Sequence, residues 1–291
     1  GWLIEAIELT GLFIKRGPVV QVKDTRGRIE VNEDDDPSIA WDGPLGVMID
    51  RFSASASEIF AGAVQDYGRG VIMGTQTYGK GTVQSAIDLS RVIRPTENIT
   101  AQAQKGTKSA TTAPQYGQIN LTMGKFYRVN GSSTQHKGVM PDINFPMVFP
   151  ADKYGESSEP SALPWDVIRP SNYKPLANLN GIKAQLITLH EQRMKNSEEY
   201  KFLLEDIAQF KKRENETSVS LNEAQLKKER EEQEAKTLAR ENKRRALAGL
   251  APLKKGETKP ENEYDFIQDE SLQIMSDFIQ LGKANQLTFK Y

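Results

Sequence analysis

The 291 residues suffice for two domains, or for one core with a large extension, and 37% hydrophobic against 26% charged residues is an ordinary soluble balance with a polar lean. A net charge of −1 gives no global attraction to nucleic acid or an anionic membrane, and the absence of cysteine excludes disulfides, thiolate metal ligands and a thiol nucleophile without fixing the compartment. No apolar run approaches the length of a membrane span.

The chain opens on Gly1-Trp2-Leu3-Ile4-Glu5, with no initiator Met, basic leader or signal-type apolar stretch, and reads as a piece of a longer protein. Leu3, Ile4, Ile7 and Leu9 stand at roughly helical spacing. Pro18-Val19-Val20-Gln21-Val22 predicts a strand ending near Asp24-Thr25-Arg26-Gly27, and Glu33-Asp34-Asp35-Asp36-Pro37 a solvated loop. Leu45-Gly46-Val47-Met48-Ile49 suits a buried strand. From Ser55 to Tyr67 a helix is predicted, with Ile59, Phe60, Ala63, Val64 and Tyr67 on one face and Gly68 as its stop. Val71-Ile72-Met73-Gly74 follows as a second buried strand. Strand, helix, strand at this spacing is a βαβ unit and implies parallel pairing in an α/β core.

Two further alternating strands are predicted at Ile119-Asn120-Leu121-Thr122-Met123 and Lys125-Phe126-Tyr127-Arg128-Val129, before an Asn130-Gly131 turn. Composition changes near residue 148. Residues 149–164, with Pro150, Pro160, Pro164 and a Glu156-Ser157-Ser158-Glu159 run, read as a linker, and 165–291 as a mainly helical region. There Ser220-Leu221-Asn222-Glu223 is a capping-box sequence opening a very charged helix to about Leu247, and Phe266, Leu272, Ile274, Met275, Phe278 and Ile279 mark a last amphipathic helix. Charge runs such as Lys227-Lys228 and Arg244-Arg245 are balanced by Glu, which argues against nucleic acid and for a solvated face.

Chemistry concentrates between the first buried strand and the helix, in Arg51-Phe52-Ser53-Ala54-Ser55-Ala56-Ser57-Glu58. Small residues there allow a sharp turn, and a serine at a helix N-terminus sits where unpaired N–H groups favour negative charge. Ser55 can attack a carbonyl while the N–H of Ala56 stabilises the oxyanion. Ser55 with Glu58 is equally a plain capping box. The two histidines, His136 in a polar turn and His190 in the helical region, have no partner motif and read as surface or packing residues. Lys80, in Thr77-Tyr78-Gly79-Lys80-Gly81-Thr82-Val83-Gln84, is a candidate base, since a lysine in an apolar pocket can be neutral enough to accept a serine proton. Gly74, Gly79 and Lys80 also stand at phosphate-loop spacing, but Gly81 replaces the required Ser/Thr and an extended stretch follows instead of a helix. A surface lysine is the simplest alternative.

Together these segments resemble peptidase family S41, the carboxyl-terminal processing proteases. The motif at 50–63 carries the resemblance, with Gln65-Asp66-Tyr67-Gly68-Arg69, Gly79-Lys80-Gly81-Thr82-Val83-Gln84, Phe126-Tyr127-Arg128-Val129-Asn130-Gly131 and Lys137-Gly138-Val139-Met140-Pro141-Asp142-Ile143. The resemblance implies an α/β, crotonase/ClpP-like βαβ catalytic core over 1–148, with the helical region similar to the C-terminal part of long bacterial tail-specific proteases. It implies a serine endopeptidase with Ser55 as nucleophile, Lys80 as base, Gln84 orienting the amine and Asp66 often grouped with them. Asp66 lies 11 residues after Ser55, about 16 Å along a helix. It is therefore expected to hold Arg69 or a neighbouring loop instead of touching Ser55.

The family further implies no metal or organic cofactor and protein or peptide substrates with apolar C-termini. It also implies a periplasmic or cell-envelope setting, with room for an envelope adaptor. Gly1 aligns as the last glycine of an upstream oxyanion loop, and the PDZ domain lies outside the chain. A chain lacking both would be inactive, or would lose substrate selection while keeping the pair. A non-catalytic scaffold of the same fold is the alternative. The 96–115 stretch is a divergent loop to which no role is assigned.

Overall fold

A computed structural model describes residues 1–93, 116–218, 220–247, 249–257 and 265–291, so the 96–115 loop lies outside the described residues. The fold is mixed α/β. The elements of its first half are α1 (Leu3–Gly11), β1 (Gly17–Asp24), β2 (Ile29–Asp34), β3 (Gly46–Ile49), α2 (Ala56–Asp66), β4 (Val71–Gly74), β5 (Thr82–Asp88), β6 (Gln118–Tyr127) and β7 (Ile143–Asn144). Helices α3 (Ala151–Tyr154), α4 (Asn180–Asn196), α5 (Glu198–Glu214), α6 (Glu223–Leu247) and α7 (Phe266–Ala284) follow. Two compact units result, Gly1–His190 with Met275–Tyr291, and Glu191–Ile274. No helix among the described residues is long and apolar enough to cross a membrane.

In the first unit, β3, α2 and β4 form the expected parallel βαβ unit, with Gly46 opposite Val71 and Ile49 opposite Gly74, and β7 adds to β4 in parallel. A separate antiparallel sheet runs β2-β1-β6-β5. Helix α2 serves two cores. Ile59, Ala63 and Tyr67 join Val19, Val20 and Phe126, whereas Ala61 and Val64 join Ile49 and Ile72. A helix buried on two sides needs small residues, which explains the Ala61-Gly62-Ala63 run. Gly68, with φ +59, ends it in the left-handed conformation typical of a helix stop.

Several expectations change. Ile119 to Tyr127 form one strand, β6, whose first part pairs with β5 and whose last four residues pair with β1. The acidic run at 33–37 is partly strand. Asp34 ends β2 and is 8% exposed, with its carboxyl against Gly11, where burial pushes its pKa up. Strand β3 is only half covered, since it is the edge of its sheet and Met48 is 51% exposed. The charged helix α6 is capped by Asn222, whose Oδ1 accepts from Gln225 N–H at 3.1 Å, while Ser220 Oγ accepts from Asn222 N–H at 3.2 Å. In the second unit, Arg244 with Glu199, Arg240 with Asp206 and Gln233 with Gln209 are matched in reverse order, so α5 and α6 run antiparallel.

Residues 149–164, expected as a linker, hold α3 and a 3₁₀ turn at Glu156–Ser158. They belong to the first unit and their backbone is tied to the rest of it, Phe149 O accepting from Arg51 Nε at 3.2 Å and Glu156 N–H donating to Tyr78 O at 3.0 Å. Proline and polar residues break regular structure, but they do not prevent a segment from finding partners elsewhere.

Candidate active site

Ser55 stands between β3 and α2 with φ +56 and ψ −113. An ordinary N-cap has extended backbone. These angles belong to the second residue of a type II′ turn, a place normally taken by glycine, and Ser57 N–H closes that turn on Ala54 O at 3.2 Å. A serine held there stores roughly 1–3 kcal/mol of strain. Such outliers cluster at functional sites, and a strained strand-to-helix turn is a known way to present a nucleophile. Among the described residues the Ala56 N–H has no acceptor, as expected in the first turn of a helix.

Glu58 joins this turn to the loop after β4. It is fully buried. Its Oε2 accepts from the backbone N–H of Ser55 at 2.7 Å and from that of Lys80 at 3.0 Å, and its Oε1 accepts from Gly79 N–H at 2.7 Å and from the Thr77 hydroxyl. Burial pushes its carboxyl up to about 7 against the pull of those donors. Tyr78 N–H adds a direct tie to Ser53 O at 3.0 Å. The expected capping-box contact from Ser55 N–H to Glu58 is therefore present, and the same carboxylate carries the Lys80 loop.

The loop is backed by residues 134–139. His136 N–H donates to Gly79 O at 2.8 Å, and Gly79 sits at φ +92, where a Cβ would come 2.8 Å from the His136 carbonyl. His136 itself has φ +63, and its buried Nε2 has no partner among the described residues. It is a residue of the site's framework. His190 is a packing residue, 5% exposed with its ring 5.1 Å from Phe145.

Lys80 and Gln84 line one cleft of about 570 Å³ with Phe52, Ala54, Glu156 and Glu159. The lining is mixed in polarity, not the apolar pocket expected for Lys80. Among the described residues Lys80 Nζ has no ion pair, and no hydrogen bond joins it to Ser55. Gln84 sits on exposed β5, just past a bulge at Val83/Gln84. Gly1 lies against Ala56, where a Cβ would fall 2.8 Å from the alanine's own.

Asp66 stands apart at the far end of α2. Its carboxylate takes Arg128 through both oxygens, at 3.0 and 2.6 Å, and Asn130 Nδ2 at 2.8 Å. Burial pushes its pKa up against the pull of Arg128. Of the two expected contacts the one to a neighbouring loop is made, since Arg128 and Asn130 lie in the turn after β6, and the one to Arg69 is not. Arg69 instead donates to the carbonyls of Phe13, Gly43 and Trp41.

Residues 1–145 match the model for peptidase family S41, and 149–280 match the C-terminal domain of tail specific protease. A tail-specific protease of Haemophilus influenzae is 40% identical over 99% of this chain. The chain belongs to peptidase family S41. A carboxy-terminal-processing protease of Bartonella bacilliformis is 36% identical over 49% of the chain. The chain spans 41% of the Haemophilus protein and 28% of the Bartonella one. Among solved structures, the photosystem II D1 C-terminal processing protease is 29% identical, with a TM-score of 0.40, covering 53% of this chain and 34% of its own. The segments 50–63 and 79–84, which carry the resemblance in the sequence, contain the turn at Ser55 and the loop at Lys80 that Glu58 joins. Sequence reasoning missed the roles of Thr77, Gln135 and Arg51. All three are buried, and no periodicity or motif distinguishes a polar residue that bonds across loops distant in the chain.

Proposed function

We propose that the protein is a serine endopeptidase that processes proteins recognised by their C-terminal tails, through an acyl-enzyme on Ser55 with Lys80 as general base. The observation that carries this reading is the strained turn at Ser55, whose N–H shares one oxygen of buried Glu58 with the N–H of Lys80. Lys80 Nζ takes the Ser55 proton as Oγ attacks the scissile carbonyl, and the oxyanion meets the free Ala56 N–H. Lys80 then gives its proton to the departing amine and takes one from the water that hydrolyses the ester. Lysine and serine draw together on substrate binding, since catalytic hydrogen bonds are often loose before it. Gln84, on the same cleft, orients the amine. Asp66 supports the end of α2 through Arg128. No metal or organic cofactor enters these steps. The cavity bounded by Trp2, Met48, Ala56 and Phe60 suits an apolar substrate side chain. The bacterial relatives support a periplasmic or cell-envelope setting, where an envelope adaptor would act on such substrates.

The test is cleavage of an unstructured protein with an apolar C-terminus by the full-length protein. Ser55→Gly and Lys80→Ala abolish turnover, whereas His136→Asn, chosen because Asn tolerates positive φ, retains it. Ser55→Gly also raises unfolding stability by about 1 kcal/mol, because glycine adopts the turn without strain. Turnover by the Lys80→Ala variant, or none by the wild type, gives way to the scaffold reading.

A further inference from the structure

The matched peptidase segment ends at residue 145, yet the chain that follows it returns to the Lys80 loop. Tyr78 and Gly81 flank Lys80 on either side. Tyr78 O accepts from Glu156 N–H at 3.0 Å. Gly81 N–H donates to Gln135 Oε1 at 2.8 Å, and Gln135 Nε2 donates to Glu156 Oε1 at 3.1 Å. These three bonds close a ring around the lysine, running from Tyr78 through Glu156 and Gln135 to Gly81.

The ring is built and not incidental. Gln135 is fully buried. Both approaches are close: a Cβ on Gly81 would come 2.6 Å from Gln135 N, which requires glycine there, and one on Gly155 would press on Tyr78 O at 3.0 Å. A second tie runs through aromatic rings, Phe52 to Phe149 and Phe149 to Tyr154, each pair with centroids 5.1 Å apart. A third runs through Arg51, whose guanidinium donates to Thr77 O and Phe149 O.

We propose that Gln135 and Glu156 are positioning residues for the loop that carries Lys80, so that the segment following the peptidase core is a working part of the catalytic site. The inference rests on the Ser-Lys reading and goes beyond it by assigning what holds the base in place. Glu156 does not touch substrate in this role. It fixes the Gln135 amide, which in turn fixes the Gly81 N–H. A general base must sit within about 3 Å of the proton it takes, and a displacement near 1 Å can cost on the order of 100-fold in rate. A long, flexible lysine side chain places its amine no better than its backbone is placed.

The experiment compares Glu156→Ala, Glu156→Gln, Gln135→Glu and the double exchange Gln135→Glu/Glu156→Gln in the full-length protein. Glu156→Ala lowers kcat by roughly 10- to 100-fold with little change in KM. Glu156→Gln stays close to wild type, because its amide oxygen still accepts from Gln135. Gln135→Glu falls because two carboxylates then face each other. The double exchange recovers most of that loss, with the new carboxylate at 135 accepting from Gly81 N–H and from the new amide at 156. Amide hydrogen exchange over residues 77–84 rises in Glu156→Ala and not in Glu156→Gln. An alanine variant with wild-type kcat and exchange overturns the proposal, as does a double exchange no better than Gln135→Glu. Should the wild type cleave nothing, the Ser-Lys reading fails by itself, and the exchange data still decide whether Glu156 holds the loop.

Discussion

At the residue scale the decisive feature is one carboxylate with two tasks. Glu58 reads in sequence as the third helical residue of a capping box. In the structure it also gathers Thr77, Gly79 and Lys80, and its burial shifts its titration to about 7. Because the folded state holds the proton more tightly than the unfolded one, the stability this group contributes is fully present below about 4.5 and is lost as pH rises through about 7. Glu58→Gln removes that dependence. Urea unfolding at pH 5 and pH 8 therefore finds a larger gap between wild type and variant at pH 5, and a gap that does not vary with pH contradicts the assignment. Ser55, by contrast, was visible as a candidate from its small neighbours and its place before a helix. Its positive φ was not visible, since serine is no signal for that conformation.

At the element scale, α2 links the strained turn at Ser55 at its start to the Asp66–Arg128 pair at its end. The pair is almost fully buried, with side-chain exposures of 6% and 13%. Removing one partner of such a pair costs more than removing both, because the remaining charge is left without compensation. Arg128→Ala is expected to cost about 3 kcal/mol, and adding Asp66→Asn to it recovers part of that loss. Denaturation of both variants checks this, and equal or greater loss in the double variant counts against the strut. Periodicity located α1, β1, α2, β4 and α7 well, because each buries one regular face or a short apolar run. It divided β6 in two at Gly124, and it missed β2, a short strand whose apolar Ile29 and Val31 are themselves exposed and so mark no buried face.

At the scale of the whole molecule, the first unit is assembled from both ends of the chain. Phe289 packs against the cluster of Val19, Val20 and Tyr67 and lies 4.5 Å beneath the Arg69 guanidinium, and Lys290 N–H donates to Leu176 O at 2.9 Å. Deleting residues 286–291 uncovers that surface and lowers the melting midpoint by roughly 5 °C. An unchanged midpoint argues that the terminal contacts contribute little.

The sequence by itself determined the βαβ unit and the family, and it singled out the Ser55 and Lys80 segments, because hydrophobic spacing, turn residues and long motifs are local properties of the chain. Tertiary structure alone decided how those motifs meet. Glu58 reaches Lys80 across 22 residues, Asp66 reaches Arg128 across 62, and Gln135 reaches Glu156 across 21 and Gly81 across 54. Buried polar groups must find partners wherever the fold brings them, and no local pattern records which partner that is.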